Sequence, residues 1–224
     1  VTGDIYASNG SSKILESGTD GSDATFTGRL NGLGQNGNVA LGENAYGWQF
    51  HSDNSSNNAP TGSNNTAVGH NALLISDGGN NNTAIGHNAM VWAVNAKHNT
   101  AIGNKALEAV VDGEYNFAAG YGALRFHRGN NNIGIGHDAG THSGANASSS
   151  LHNGNNNIYI GNDSKAQNNE VNNEIVIGHN ATGNGENTAT IGDSNTTLIS
   201  GSFRGDVTGD IYASNGSSKI LESG

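Results

Sequence analysis

Cysteine is absent from all 224 residues, so neither a disulfide nor a thiolate metal site can hold this chain together. Apolar residues are scarce at 33% and charged ones at 12%. An ordinary globular domain has roughly 45–50% and about 25%, so a single thick core under a charged shell is excluded. Basic residues are few. Nine Lys and Arg against 19 Asp and Glu give a formal net charge of -10, and no cluster of them forms the electrostatic footprint that nucleic acid or an anionic membrane surface requires. No apolar run approaches the ~18–20 residues of a membrane span. Low hydrophobicity with net charge is also the composition of disordered chains. Disordered chains, however, lack what is regular here: Val and Ile recurring at fixed offsets.

What the chain does have is 35 Gly and 37 Asn, and they are distributed as repeats. One repeat is identical: VTGDIYASNGSSKILESG fills positions 1–18 and returns unchanged at 207–224, an offset of 206 residues. It marks either a tandem array with a unit of about that length or a segment duplicated in this chain alone. A second, drifting repeat fills the interior. Its form is N-x-A-(V/I/L)-G-x-x-A, as in NTAVGHNAL from Asn65, NTAIGHNAM from Asn82 and NTAIGNKAL from Asn99. The pivotal glycines are Gly42, Gly69, Gly86, Gly103, Gly120, Gly136, Gly161, Gly178 and Gly192, spaced by 27, 17, 17, 17, 16, 25, 17 and 14 residues. The regular steps describe coils, and the long ones place loop insertions at about 47–63 and 141–154. NIYIGNDSKA from Asn157, NEIVIGHNA from Asn173 and NTATIGDSN from Asn187 continue the series.

Each unit translates into geometry. T-A-(V/I)-G alternates with the period of a strand and puts Val68, Ile85, Ile102, Ile135, Ile160, Ile177 and Ile191 at one equivalent position on one face, where they stack. Glycine follows because a narrow coil must turn there. Asn-rich stretches such as 80–82 and 130–132 suit turns that use left-handed backbone, and stacked Asn can form ladders along the axis. Two strands of ~5 residues and two turns consume the whole spacing and leave no room for a helix. The expectation is an all-β, parallel β-roll solenoid of about nine coils over residues 31–200, with a thin core of Ile, Val, Leu and Ala. Leu73, Met90, Leu107 and Leu124 pack either between chains or into the same intrachain core.

The N-x-A-I-G-x-x-A units resemble the head repeats of trimeric autotransporter adhesins and, more closely, the NTAVGxxAL arrays of bacteriophage tail fibres. GDVTGDIYAS and TFTGRLNG resemble the Gly-Asp-Val-Thr-Gly runs of phage-fibre shafts. The resemblance implies a left-handed roll in a homotrimer, with intertwined β-prism-like shaft segments at residues 1–30 and 201–224. Spacing of 17 rather than shorter, and no visible coiled-coil stalk or membrane anchor, favour the phage-type fibre. The implied function is structural: a virion-tail or extracellular fibre that extends toward a bacterial surface and engages a surface glycan or protein receptor. The alternative is a tandem-repeat adhesive filament at a cell surface. The implied partner is the chain itself.

Sites for chemistry are weakly signalled. His70, His87, His137 and His179 directly follow pivotal glycines, a slot compatible with a metal ladder, a ring on a trimer axis or a solvated turn. Asn104, Tyr121, Asn162 and Asp193 in the same slot favour the turn. Asp112, Glu114, Glu170 and Glu174 are the carboxylates for a glycosidase pair, but they lie in polar stretches without an aromatic sugar platform. No nucleophile elbow, phosphate loop or Cys–His arrangement is present. Arg204-Gly205-Asp206 spells an adhesion tripeptide inside the shaft pattern, and an Asn-rich chain generates sequons such as those at Asn54, Asn146 and Asn195 by chance. The chain is therefore expected to act without catalytic residues, metal or cofactor. The candidate recognition or interchain surface is aromatic: Trp48, Phe50, Trp92, Arg125 and Phe126, with packing between chains the favoured use.

Overall fold

The computed structural model describes residues 5–6, 13–15, 37–46, 61–142, 152–193, 211–212 and 219–221. They fall into two units, residues 1–194 and 195–224. Within the first, β1 (Ile5–Tyr6) and β2 (Lys13–Leu15) pair antiparallel, Ile5 opposite Leu15. In the second, β14 (Ile211–Tyr212) and β15 (Lys219–Leu221) pair antiparallel, Ile211 opposite Leu221. The duplicated segment thus forms the same two-stranded pair in each unit. The remainder of the expected shaft lies outside the described residues.

The body of the first unit is a parallel β-solenoid, and no helix occurs among the described residues. Nine strands of three residues form one sheet: β3 (Val39–Leu41), β4 (Thr66–Val68), β5 (Thr83–Ile85), β6 (Thr100–Ile102), β7 (Phe117–Ala119), β8 (Ile133–Ile135), β10 (Ile158–Ile160), β12 (Ile175–Ile177) and β13 (Ala189–Ile191). A second sheet pairs β9 (Thr141–His142) with β11 (Lys165–Ala166). In the large sheet each strand pairs with its predecessor in matched register, Ala67 to Ala84 to Ala101 to Ala118. The register also survives the two long steps, since Val39 pairs with Thr66 and Ile133 with Ile158.

Strands stop after three residues because the next residue is a glycine whose place nothing larger can take. Gly86 has φ +135, and a Cβ added to it would lie 2.5 Å from the Gly103 carbonyl oxygen of the next rung. Left-handed corners then close the coil. They fall on Asn71, Asn88, Asn81 and Asn131, as the composition suggested, but also on Leu73, Met90, Leu107 and Leu124, with φ between 47 and 51. For a residue with a Cβ that backbone costs roughly 1–2 kcal/mol. It turns the side chain inward, where all four are fully buried, and complete burial of a Leu or Met contributes ~1.5–3 kcal/mol. Burial wins.

The structure decides one open alternative and corrects one expectation. Leu73, Met90, Leu107 and Leu124 close the core of one chain and are not interchain contacts. The Val68–Ile85–Ile102 column does share one face, but that face is the outer one. The inward position of each strand is its middle residue, Ala67, Ala84, Ala101, Ala118, Tyr159 or Val176, all at most 1% exposed. Because side chains alternate, the residues on either side must point out. The core is therefore a column of Ala facing a column of Leu and Met.

The third inward column is polar. Asn38, Asn65, Asn82, Asn99, Asn116, Asn132 and Asn157 are buried in line. Each Oδ1 accepts the backbone N–H of its successor on the next rung, for example Asn99 N–H to Asn82 Oδ1 at 3.0 Å and Asn116 N–H to Asn99 Oδ1 at 2.8 Å. Each Nδ2 donates into the closing turn, Asn99 to the Gly113 carbonyl at 2.8 Å and Asn82 to Ala96 at 2.7 Å. Adjacent amides also bond directly, Asn99 Nδ2 to Asn82 Oδ1 at 3.1 Å. The ladder satisfies buried backbone groups that the three-residue strands leave over.

Towards the C-terminal rungs the columns exchange volume. Gly140 replaces Leu at the inward corner, and Tyr159 replaces Ala on the next strand; a Cβ on Gly140 would lie 2.9 Å from the Tyr159 ring. At the first rung Tyr46 takes the Leu position, its hydroxyl donating to the Gly62 carbonyl at 2.8 Å.

Three substitutions test this packing by thermal or denaturant unfolding. Leu107→Ala is expected to cost ~2–5 kcal/mol. Asn99→Ala strands the Gly113 carbonyl and the Asn116 N–H and should cost at least ~2 kcal/mol. Exposed Glu186→Ala should stay within about 0.5 kcal/mol; equal effects at Asn99 and Glu186 would refute the ladder's role.

Candidate functional site

The first and third residues of the nine strands form two outward rows. One runs Val39, Thr66, Thr83, Thr100, Phe117, Ile133, Ile158, Ile175, Ala189; the other Leu41, Val68, Ile85, Ile102, Ala119, Ile135, Ile160, Ile177, Ile191. None bears an ionisable group, in a chain whose formal charge is -10. Ile85, Ile102, Ile135 and Ile160 are 36–42% exposed, and Ile191 61%. At a strand spacing of ~4.8 Å, eight steps make this apolar strip roughly 38 Å long. Scattered surface aliphatics are ordinary, whereas a continuous strip of them is the candidate interaction surface of this chain.

The aromatic residues expected to serve that purpose are dispersed. Trp92 is 51% exposed; its backbone bridges Ile75 and Ala109, on a ladder separate from the nine-stranded sheet. Arg125 is ion-paired to Glu108 on the preceding rung and lies 4.7 Å from the Phe126 ring centroid. Trp48 and Phe50 lie outside the described residues.

The histidines that follow pivotal glycines occupy exposed outer corners. His70 and His87 stack with centroids 5.2 Å apart, nearly parallel, so their nitrogens run side by side rather than converging on a point. The Asn104 amide lies 3.2 Å from His87 Nδ1. His137 stacks on Tyr121 at 5.0 Å and stands beside Asp138, and ligand atoms of His137, Asp138 and Asp163 lie within 4.8 Å of one another at an open corner. His179 sits against the Asn180 amide.

The four candidate acids have separate surroundings. Asp112 accepts from the Asn95 amide at 3.1 Å, and Glu114 is paired with Lys97 at 3.1 Å. Glu170 is exposed, with its backbone N–H on Asn168 Oδ1. Glu174 is fully buried and stands where the asparagine ladder would continue, its N–H bonded to Asn157 Oδ1 at 2.9 Å. Its carboxylate accepts the Gly185 N–H at 2.9 Å and the Tyr159 hydroxyl at 3.4 Å. Burial pushes the Glu174 carboxyl above its ordinary range, against the lowering effect of those two donors. Burial, and then the neighbouring Glu174, push the Tyr159 hydroxyl up as well. The sequence shows the substitution at this position, four residues before Gly178, but counting the unit from Asn173 hides it.

No protein-family model matches this chain, and no curated protein matches it.

A raised carboxyl pKa means that the folded state holds its proton more tightly than the unfolded chain. Glu174 therefore stabilises the fold at acid pH relative to neutral pH, and that contribution is lost as pH rises above the ordinary value of 4.5 through the folded one. Glu174→Gln should unfold at a higher temperature than the parent at pH 8, with the gap closing toward pH 4. A constant gap across that range would contradict the assignment.

Proposed function

We propose that the chain is a structural fibre module that acts mechanically rather than as an enzyme: a stiff spacer in a homotrimeric fibre of the phage tail-fibre kind. Its place is a virion tail or an extracellular surface. The fibre extends toward a bacterial surface and presents a tip to a glycan or protein receptor there. One observation carries this reading: four successive rungs, from Asn65 to Leu124, repeat the same inward triad of Asn, Ala and Leu or Met, and the strands on either side continue in the same register, so length grows by adding rungs. Such a design suits reach and stiffness.

Solution mass tests the reading. Light scattering behind size exclusion should give close to three times 22.8 kDa; a folded, β-rich monomer at micromolar concentration would overturn it.

A second reading, a tandem filament of 206-residue units, is favoured by the duplicated segment, which forms the same strand pair at Ile5–Leu15 and at Ile211–Leu221. Electron micrographs of the native assembly decide it. A regular axial repeat running over many units supports the tandem filament, and a single short fibre of finite length excludes it.

A further inference from the structure

Resting on the reading of the chain as a homo-oligomeric fibre module, we infer that the outer apolar strip is where copies of this chain meet, parallel and in register, with Phe117 of one copy seated over Ala119 of the next. The strip's period argues for a copy of itself as the occupant. Its side chains repeat at the strand spacing of ~4.8 Å over nine rungs. A partner that complements it along its length needs that same period, which another copy of the solenoid has by construction and a globular surface does not. The lack of charge on both rows fits a self-contact as well, since copies of a molecule of net charge -10 that meet through an uncharged face bury no like charges against each other.

Direction follows from side-chain size. On most rungs the two rows vary little in bulk: Thr beside Val or Ile, then Ile beside Ile. Two rungs depart from this: Phe117–Ala118–Ala119, with a 38% exposed Phe in the first row and only a methyl in the second, and the terminal Ala189–Thr190–Ile191, with the methyl in the first row and Ile in the second. When copies lie parallel about an axis along the solenoid, the first row of one faces the second row of its neighbour. Phe117 then meets the space left by Ala119 on the same rung. Antiparallel copies bring like rows together. Because β7 is the fifth of nine strands, full overlap would set Phe117 against Phe117 and leave a gap at Ala119. Only the parallel arrangement fills the space.

The test measures assembly mass against concentration for the full chain and for Ala119→Phe, Phe117→Ala, the double swap Phe117→Ala/Ala119→Phe, and Ile102→Lys. Far-UV circular dichroism serves as the folding control, since all these side chains point outward. Ala119→Phe and Ile102→Lys should weaken association by about 10- to 100-fold. Phe117→Ala should also weaken it, and the double swap should restore it, because bulk still faces space. A parent chain that is already monomeric overturns the oligomer reading and this inference together. A parent that assembles while Ala119→Phe and Ile102→Lys assemble equally well overturns this inference alone and places the contact elsewhere. Loss in Ala119→Phe without rescue by the double swap refutes the Phe117–Ala119 match.

Discussion

The asparagine ladder is the constraint on which the rest of the solenoid depends. Backbone bonds between rungs continue past the three-residue strands but leave out the N–H just before each strand and a carbonyl of the closing turn, and buried N–H and C=O groups must be paired. Placing one amide side chain per rung inside the coil, with its oxygen on the next rung's N–H and its nitrogen on the turn carbonyl, satisfies both ends of that deficit. A neutral amide is the group that can do so, because it donates and accepts at once. The ladder fixes the stagger of successive rungs, and the stagger is what superimposes Ala on Ala and Leu on Leu.

Because Asn, Ala and Leu take most of the interior, most of the Ile side chains of the strands lie on the outer face. This explains how so few apolar residues support a folded body of this size. The core is thin, and the β-branched Ile side chains are spent on the outer sheet face. The cross-section stays constant through Gly140 and Tyr159 because volume lost in one column is restored in the other. Where the ladder does change character, at Glu174, the side chain accepts an N–H from Gly185 rather than donating to a turn carbonyl.

Much of this was legible in the sequence. The 17-residue step, the glycine that ends each strand, the turn role of Asn and the all-β parallel stack all follow from spacing and from backbone preferences. The inside–outside assignment did not follow. Val68, Ile85 and Ile102 are the most hydrophobic residues of their units, and hydrophobicity alone places them in the core; what decides the question is that Leu107 and its equivalents adopt left-handed backbone, which no pattern rule expects of Leu. In the last two coils the strand phase holds, with Ile177 and Ile191 in the expected column, but the ladder position is hidden. Asn173 and Asn187 precede Glu174 and Thr188, so a motif anchored on Asn shifts by one residue where the ladder position ceases to be Asn. The aromatic residues drew attention by type, yet the broader surface is made of Ile, Val and Thr that alternation had already placed together.

The claim that the ladder holds the rungs is most directly tested by residue-resolved amide hydrogen exchange on the intact chain. The account predicts that the N–H groups of Asn82, Asn99, Asn116 and Asn132, each bonded to the preceding ladder oxygen, exchange as slowly as those of Thr83, Thr100 and Phe117 in the strands beside them. Fast exchange at the Asn positions with protection confined to the strands would contradict it, and would leave the sheet alone as the element that sets the rungs.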